Sequence, residues 1–386
     1  MQRPKTKLFL VTLEPIASRY TGSWYKNFPP AFEELGFAVT VLDGTPLTDT
    51  IKVGSFLDIN STIAYKNSQM GKIAGMFHRK EVPQGAHFYF MDIEFWGIES
   101  LRLMADMNNV KIHISGFLHA ASYTVDDAFS IAAPYQRYTE VGWIAALDLV
   151  FVGSEYHKRA LIDRRLTLPG LSDLSKKVIV TGNPLFQSDY PVYGLPKKNQ
   201  IILPNRIDWG KRPDLSFAVA ALFKAQRPDW NVVVTTGKET LSSDKQWLSD
   251  YAYWMQKLGV LEIKTNCTKE DYHKTLAESK LMMSFSIEEN FGYCIAEAII
   301  YNVLPILRSG LSHDEFSLPD ACYFDDEDGA LKTLLALTDL NNYKYKHRVT
   351  IEDTVNTLKH GSCKYLGYPG NNTSIREMAI EMKALI

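Results

Sequence analysis

The feature that most constrains this chain is a repeated alternation of two kinds of segment. Short runs in which nearly every residue is apolar are each followed by a stretch with helical apolar spacing. "KLFLVTL" (Lys7 to Leu13) is the first such run. "WYKNFPPAFEELG" follows, with helical spacing after its prolines and Gly36 as a stop signal, and then "FAVTVLDG" reads as a second strand. A strand that is apolar on both faces belongs in a parallel sheet with helices on both sides. The pattern continues through "HFYFMD", "IESLRLMADMN", "VKIHISGFLH", a helical stretch around "VGWIAALD", and the strands "LVFVGS" and "KVIVTGN". A segment rich in Pro and Gly, Tyr190 to Gln200, interrupts it. The alternation then restarts with "IILPN", "DLSFAVAALFKAQR", "WNVVVTTG" and "SDYAYWMQKLG", and runs on to "LMMSFS", "GYCIAEAIIYN" and "VLPILRS". The expected architecture is α/β: two successive doubly wound units joined by a linker. "TSIREMAIEMKALI" closes the chain as a capped amphipathic helix.

Composition narrows the function classes. The 386 residues suit two domains, and 46% hydrophobic with 22% charged residues is ordinary for a globular protein with a sizeable core. A formal net charge of −2 makes no demand for nucleic acid or an anionic membrane, although totals hide local patches. The four cysteines, Cys267, Cys294, Cys322 and Cys363, form no CxxC pair, which argues against zinc and for reduced thiols in a cytoplasmic protein. The apolar run near the N-terminus is too short for a secretory signal, and no stretch approaches a membrane span. The sequons at Asn60 and Asn371 are therefore read as chance matches.

Two loops carry candidate chemistry. Ligands of open α/β sheets sit beyond the carboxyl ends of strands, where free N–H groups of helix N-termini point outward. "EENFG" lies between the strand "LMMSFS" and the helix "YCIAEAII". Gly292 would let a phosphate or sugar approach the backbone. Glu289 would lie in the loop and Glu297 about two turns on, where carboxylates can accept bonds from hydroxyls. The same pattern also fits a helix start whose acids favour its dipole, and spacing alone leaves both readings open. "LPNRIDWGKRPD" places Arg206 and Lys211 after the first strand of the second unit, where two cations could neutralise a diphosphate. Both loops should leave the same sheet edge, so cations and acids would face one cleft.

These residues carry a specific resemblance. "SFSIEENFGYCIAEAIIYNVLPIL" resembles the E-x7-E signature of the retaining, glycogen-synthase-like glycosyltransferases of GT-B fold, with Glu289 and Glu297 as its acids and Phe291, Gly292, Ala298 and Pro305 in register. "NRIDWGKRPDLSFAVAALF" is similar to the family's diphosphate-binding segment, and "LDLVFVGSEYHKRAL" with "KVIVTGNPL" to the passage before its linker. The resemblance covers roughly residues Val110 to Ala336. It implies two Rossmann-like domains with an interdomain cleft. Residues 1–192 would form the acceptor-side domain and 193–368 the nucleotide-sugar-binding domain, with helix 369–386 crossing back to the first. It further implies retaining transfer of a sugar from a nucleotide-sugar to a hydroxyl, with no metal and no cofactor. Glu289 would hold donor-sugar hydroxyls and Glu297 the ribose, while the backbone of Asn290, Phe291 and Gly292 contacts sugar and phosphate. Arg206 and Lys211 would stabilise the leaving diphosphate. His119, at the end of a strand of the first unit, would reach the donor sugar, and the base would lie against "IKTNCTKED".

The resemblance weakens on the acceptor side. Family members commonly carry a Gly-Gly pair in the first β-α loop, whereas "EPIASRYTGSW" has one glycine, Gly22, with Arg19, Tyr20 and Trp24 around it. Asp126 and its neighbour Asp127 are expected on the same side. The acceptor is either a glycan or lipid-linked saccharide or a hydroxymethylated base in DNA, the substrate of phage enzymes of this fold and approximate size. Arg19, Tyr20, Trp24, Arg79 and Lys80 lean towards DNA, and the balanced net charge leans against it. A nucleotide-sugar-binding module without transfer and an epimerase of the same fold are the competing classes.

Overall fold

The computed structural model describes residues 5–16, 19–47, 59–124, 135–167, 169–243, 245–339 and 373–386. Contacts divide the chain into two compact units, Met1–Asp189 with Gly367–Ile386, and Tyr190–Leu366. Among the described residues no helix is long and apolar enough to cross a membrane.

The first unit holds β1 (Thr6–Val11), β2 (Phe37–Leu42), β3 (Ala86–Phe90), β4 (Ile112–Leu118), β5 (Leu149–Val152) and β6 (Val178–Val180). They form one parallel sheet in the order β2-β1-β3-β4-β5-β6. Its helices are α1 (Tyr20–Glu34), α2 (Ile59–His78), α3 (Ile98–Met107), α4 (Gln136–Ala146), α5 (Glu155–Arg165) and, from the far end of the chain, α11 (Thr373–Ala384). The strand period of two splits the core. Phe9, Val11, Phe88, Phe90 and Ile114 face α2, α3, α4 and α5. Leu8, Leu10, Tyr89, Phe117 and Phe151 face α1 and α11. This partition follows from right-handed crossovers. The step from β1 to β2 runs one way across the sheet and places only α1 on its face, whereas the steps from β2 onward run the other way. Ile375, Met378, Ala379 and Met382 of α11 fill the face that α1 alone leaves bare.

Two local features differ from the sequence reading. Helical structure begins at Tyr20 and runs through Pro29 and Pro30 instead of starting after them. The stripe Trp24, Phe28 and Phe32 is fully buried and carries the helix across two residues that lack an amide hydrogen. Helix α2 has no counterpart in the apolar pattern. Its packed stripe begins with Thr62, Tyr65, Lys66 and Gln69 before turning apolar at Ile73, Met76 and Phe77. The polar half covers the carboxyl ends of strands. Gln69 Nε2 donates to Thr12 O at 2.9 Å and to Leu42 O at 2.7 Å, and Tyr65 Oη lies 2.9 Å from Thr12 Oγ1. Lys66 Nζ reaches Asp92 Oδ2 at 2.7 Å and also donates to Glu94 O.

The second unit holds β7 (Lys198–Leu203), β8 (Asn231–Thr235), β9 (Glu262–Lys264), β10 (Ser279–Ser284), β11 (Leu304–Arg308) and β12 (Tyr323–Phe324). Its helices are α6 (Pro213–Gln226), α7 (Gln246–Lys257), α8 (Lys269–Glu278), α9 (Tyr293–Ile300) and α10 (Glu327–Thr338). The parallel sheet runs β12-β11-β10-β7-β8-β9. Counted within the unit this is the dinucleotide-binding order, and it reverses direction between β7 and β10.

Gln69→Leu should lower unfolding free energy by roughly 1–3 kcal/mol, because the Thr12 carbonyl loses the Gln69 amide and Leu42 O keeps only its longer bonds from Thr12. Urea denaturation followed by circular dichroism checks this; an unchanged midpoint would show that other groups satisfy Thr12 and Leu42.

Candidate active site

The strand-order reversal of the second unit brings two loops together. One follows β7 and carries Arg206 and Lys211; the other follows β10 and carries Glu289, Asn290, Phe291 and Gly292. Asn205 Nδ2 donates to Ser284 Oγ at 2.7 Å, and the Ile287 amide donates to Gly210 O at 3.0 Å. Lys211 Nζ then donates to Glu288 O at 3.2 Å and pairs with Glu289 Oε2 at 2.7 Å. Both partners are mostly buried, with side chains 19% and 22% exposed. Burial acts to raise the Glu289 pKa, but the charge and hydrogen bond of Lys211, with His313 and Arg206 behind them, outweigh it and hold the carboxyl below its ordinary range. Arg206 is more exposed and pairs with Asp208 at 3.1 Å. Arg212 is locked by a fork onto Asp214 and lies over the ring of Trp209.

Phe291 is buried against Tyr293 and Phe316. Gly292 caps α9 at φ +92°, and a Cβ there would come within 2.8 Å of Ile295 Cδ1. Only glycine suits both the left-handed backbone and the close packing. Glu297, two turns into α9, accepts from Tyr272 Oη at 2.9 Å and lies 3.7 Å from His273 Nε2. Burial, with Cys294 and Glu297 nearby, pushes the Tyr272 phenol well above its usual range. Burial, Glu297 and Glu289 push the Cys294 thiol up to about 12, so it stays protonated at neutral pH.

The remaining candidates fall in the first unit. His119 Nε2 lies 2.8 Å from Met91 O, so that nitrogen carries the proton and donates. Its ring packs on Tyr20, Trp24 and Phe117. Burial lowers its pKa more than Asp92 and the Met91 carbonyl raise it, which leaves the imidazole neutral. Arg19 is the N-cap of α1, and Tyr20, Gly22 and Trp24 lie in its first turns, not in a loop. Trp24 is fully buried, so it forms the floor beneath His119 and presents no face to an acceptor. The basic cluster also dissolves in part, because Arg79 forks onto Glu81 at 2.7 and 2.9 Å. Asp126 and Asp127 lie outside the described residues.

Sequence reasoning did not single out Tyr272, His273, His313 or the buried Lys66–Asp92 pair. His313 follows β11 and obeys the same carboxyl-end rule, which could have found it. The sequence's one Asp-x-Asp triplet, Asp326–Glu327–Asp328, opens α10, where Asp326 Oδ1 accepts from Gly329 N at 2.7 Å as a helix cap. Among the described residues no three His, Cys, Asp or Glu side chains converge as a metal ion would require.

No family model and no curated protein sequence matches this chain. Solved structures do. Sucrose-phosphate synthase from Thermosynechococcus elongatus aligns at a TM-score of 0.65 and 12% identity, over 99% of this chain and 98% of that one. The catalytic domain of starch synthase IV from Arabidopsis thaliana, bound to ADP and acarbose, aligns at 0.65 and 11%, over 99% and 100%. A glycosyltransferase from Rickettsia africae aligns at 0.63 and 13%, over 99% of each chain. The fold is GT-B. Within GT-B the identities are low enough that the likeness is one of architecture, and the chemistry must be argued from the residues described above.

Two outcomes test the site's physics. A depressed carboxyl pKa adds stability that is present above the ordinary value of 4.5 and lost as pH falls through the folded value. Urea titrations between about pH 6 and 3 should show wild type losing this part while Glu289→Gln does not. Gly292→Ala should cost about 1–2 kcal/mol from the left-handed backbone alone, with the Ile295 contact adding to it.

Proposed function

We propose that this chain is a glycosyltransferase that moves a sugar from a nucleotide-sugar to an acceptor hydroxyl. The observation that carries the reading is the Lys211–Glu289 pair, held between the loops after β7 and β10 where the strand order reverses, with Arg206 beside it. Cations at the strand ends suit a diphosphate, and the adjoining carboxylate suits the hydroxyls of the sugar it carries. The GT-B architecture supports the reading, as do the names of its neighbours: sucrose-phosphate synthase, starch synthase and a UDP-forming trehalose-phosphate synthase from Burkholderia vietnamiensis.

In the proposed reaction Lys211 leaves Glu289 for the donor diphosphate and, with Arg206, stabilises the charge that develops as the glycosidic bond to phosphate breaks. These cations carry that charge without a metal. Glu289 accepts bonds from hydroxyls of the transferred sugar and fixes its orientation. Glu297 receives the ribose hydroxyls beside the bond from Tyr272. Transfer proceeds with retention, the departing phosphate taking the acceptor proton on the same face. The acceptor is a saccharide hydroxyl, which the neighbours' names support. A DNA base as acceptor has less support, because Trp24 is buried and Arg79 is paired.

Thermal-shift screening against UDP-, ADP- and GDP-sugars should reveal one donor that raises the melting temperature. With that donor, Lys211→Ala and Arg206→Ala should each lower kcat by about 10²–10³-fold. NMR of the product would show the anomeric outcome. A free sugar or an isomerised donor as sole product would sink transfer in favour of hydrolysis or epimerisation. Steeply salt-dependent DNA binding would revive the DNA acceptor.

A further inference from the structure

The turn Leu311–Phe316, which follows β11, is bracketed by left-handed backbone at Gly310 (φ +94°), Leu311 (φ +61°) and Ser317 (φ +52°). A leucine in that region is strained, and strain of this kind persists only where surroundings enforce it. The Gly310 amide donates to Asp314 Oδ1 at 2.8 Å, and Tyr323 Oη donates to the His313 carbonyl at 3.0 Å. Phe316 closes the contact with the β10 loop: its ring lies 6.0 Å from that of Phe291, and a Cβ on Gly292 would come within 3.3 Å of it.

This held turn buries His313 completely. Its Nδ1 lies 2.8 Å from Arg308 O. A carbonyl can only accept, so Nδ1 carries the proton and Nε2 is left with a lone pair. No group bonds Nε2. The charged groups that act on the ring are Glu289, Lys211 and Asp314, while burial is the largest influence and favours the neutral form. The two site residues act oppositely: Glu289 favours the imidazolium and Lys211 disfavours it.

We propose that His313 is a positioning residue that replaces Lys211 as the counterion of Glu289 when a diphosphate occupies the site. The idea rests on the donor-site reading above. Drawing Lys211 onto an anion removes the cation that opposes protonation of His313 and leaves Glu289 without its partner. Nε2 then takes one proton from solvent and becomes N–H, and the imidazolium holds the Glu289 carboxylate charged and in place. The empty Nε2 valence is thus filled only in the liganded state.

The test is isothermal titration calorimetry of the full chain with UDP and with ADP at about pH 7.5, in buffers of different ionisation heat. Binding with uptake of up to about one proton is expected, with affinity falling up to about tenfold per pH unit above that point. The uptake should vanish in His313→Gln, and in Glu289→Gln without loss of fold. Binding of wild type without uptake overturns the proposal whatever the variants do, as does uptake that survives in His313→Gln. If neither nucleotide binds wild type, the donor-site reading fails first. If His313→Gln does not fold, the Glu289→Gln comparison decides, because a merely structural histidine gives no uptake that depends on Glu289.

Discussion

Everything in this molecule depends on the need to bury both faces of a parallel sheet. Such a strand keeps its side chains for packing, so its chemistry is confined to its ends. The core shows this directly: β1, β3, β4 and β5 contribute Phe9, Phe90, Phe117 and Phe151 to one face or the other, all essentially inaccessible. The candidate site groups lie where the strands stop, and the reversal of strand order separates two neighbouring helices enough to leave room there.

Electrostatics at that opening is a matter of exchangeable partners. Lys211 and Glu289 neutralise one another at 2.7 Å, which keeps two mostly buried charges compatible with the protein interior. In the proposed reaction an anionic ligand competes for the cation and frees the acid for hydroxyls. The nearby thiol and phenol are held protonated by burial and add no further negative charge. The first unit uses the same device at its own strand ends, where Lys66 and Asp92 pair beneath α2.

Much of this was legible in the sequence, for identifiable reasons. Strands buried on both faces announce themselves as unbroken apolar runs, so the α/β class and the order of most elements could be read directly. That Arg206, Lys211 and Glu289 would share one sheet edge followed from their places after strands; the roles assigned to them remain matters of chemistry. Helix α2 escaped because Tyr65, Lys66 and Gln69 pack by hydrogen bonding, which leaves no apolar period to detect. Trp24 was misplaced in a loop because Pro29 and Pro30 suggested a late helix start, whereas the stripe through Phe28 and Phe32 outweighs them. His273 is invisible in sequence because its significance comes from what lies opposite it in space, whereas His313 follows a strand end and was within reach of the rule that found Glu289.

The return of α11 bears on how the chain assembles. The second unit is drawn from one continuous segment, but the first needs Ile375, Met378 and Met382 to cover the sheet face that α1 leaves bare. Synthesis proceeds from the N-terminus, and domains commonly mature in that order. Here the order is inverted. The first unit emerges early with an apolar face open to water, and it closes only after α11 has left the ribosome. The nascent chain therefore carries a sticky surface throughout synthesis of the second unit, and loss of α11 would leave that surface open for good.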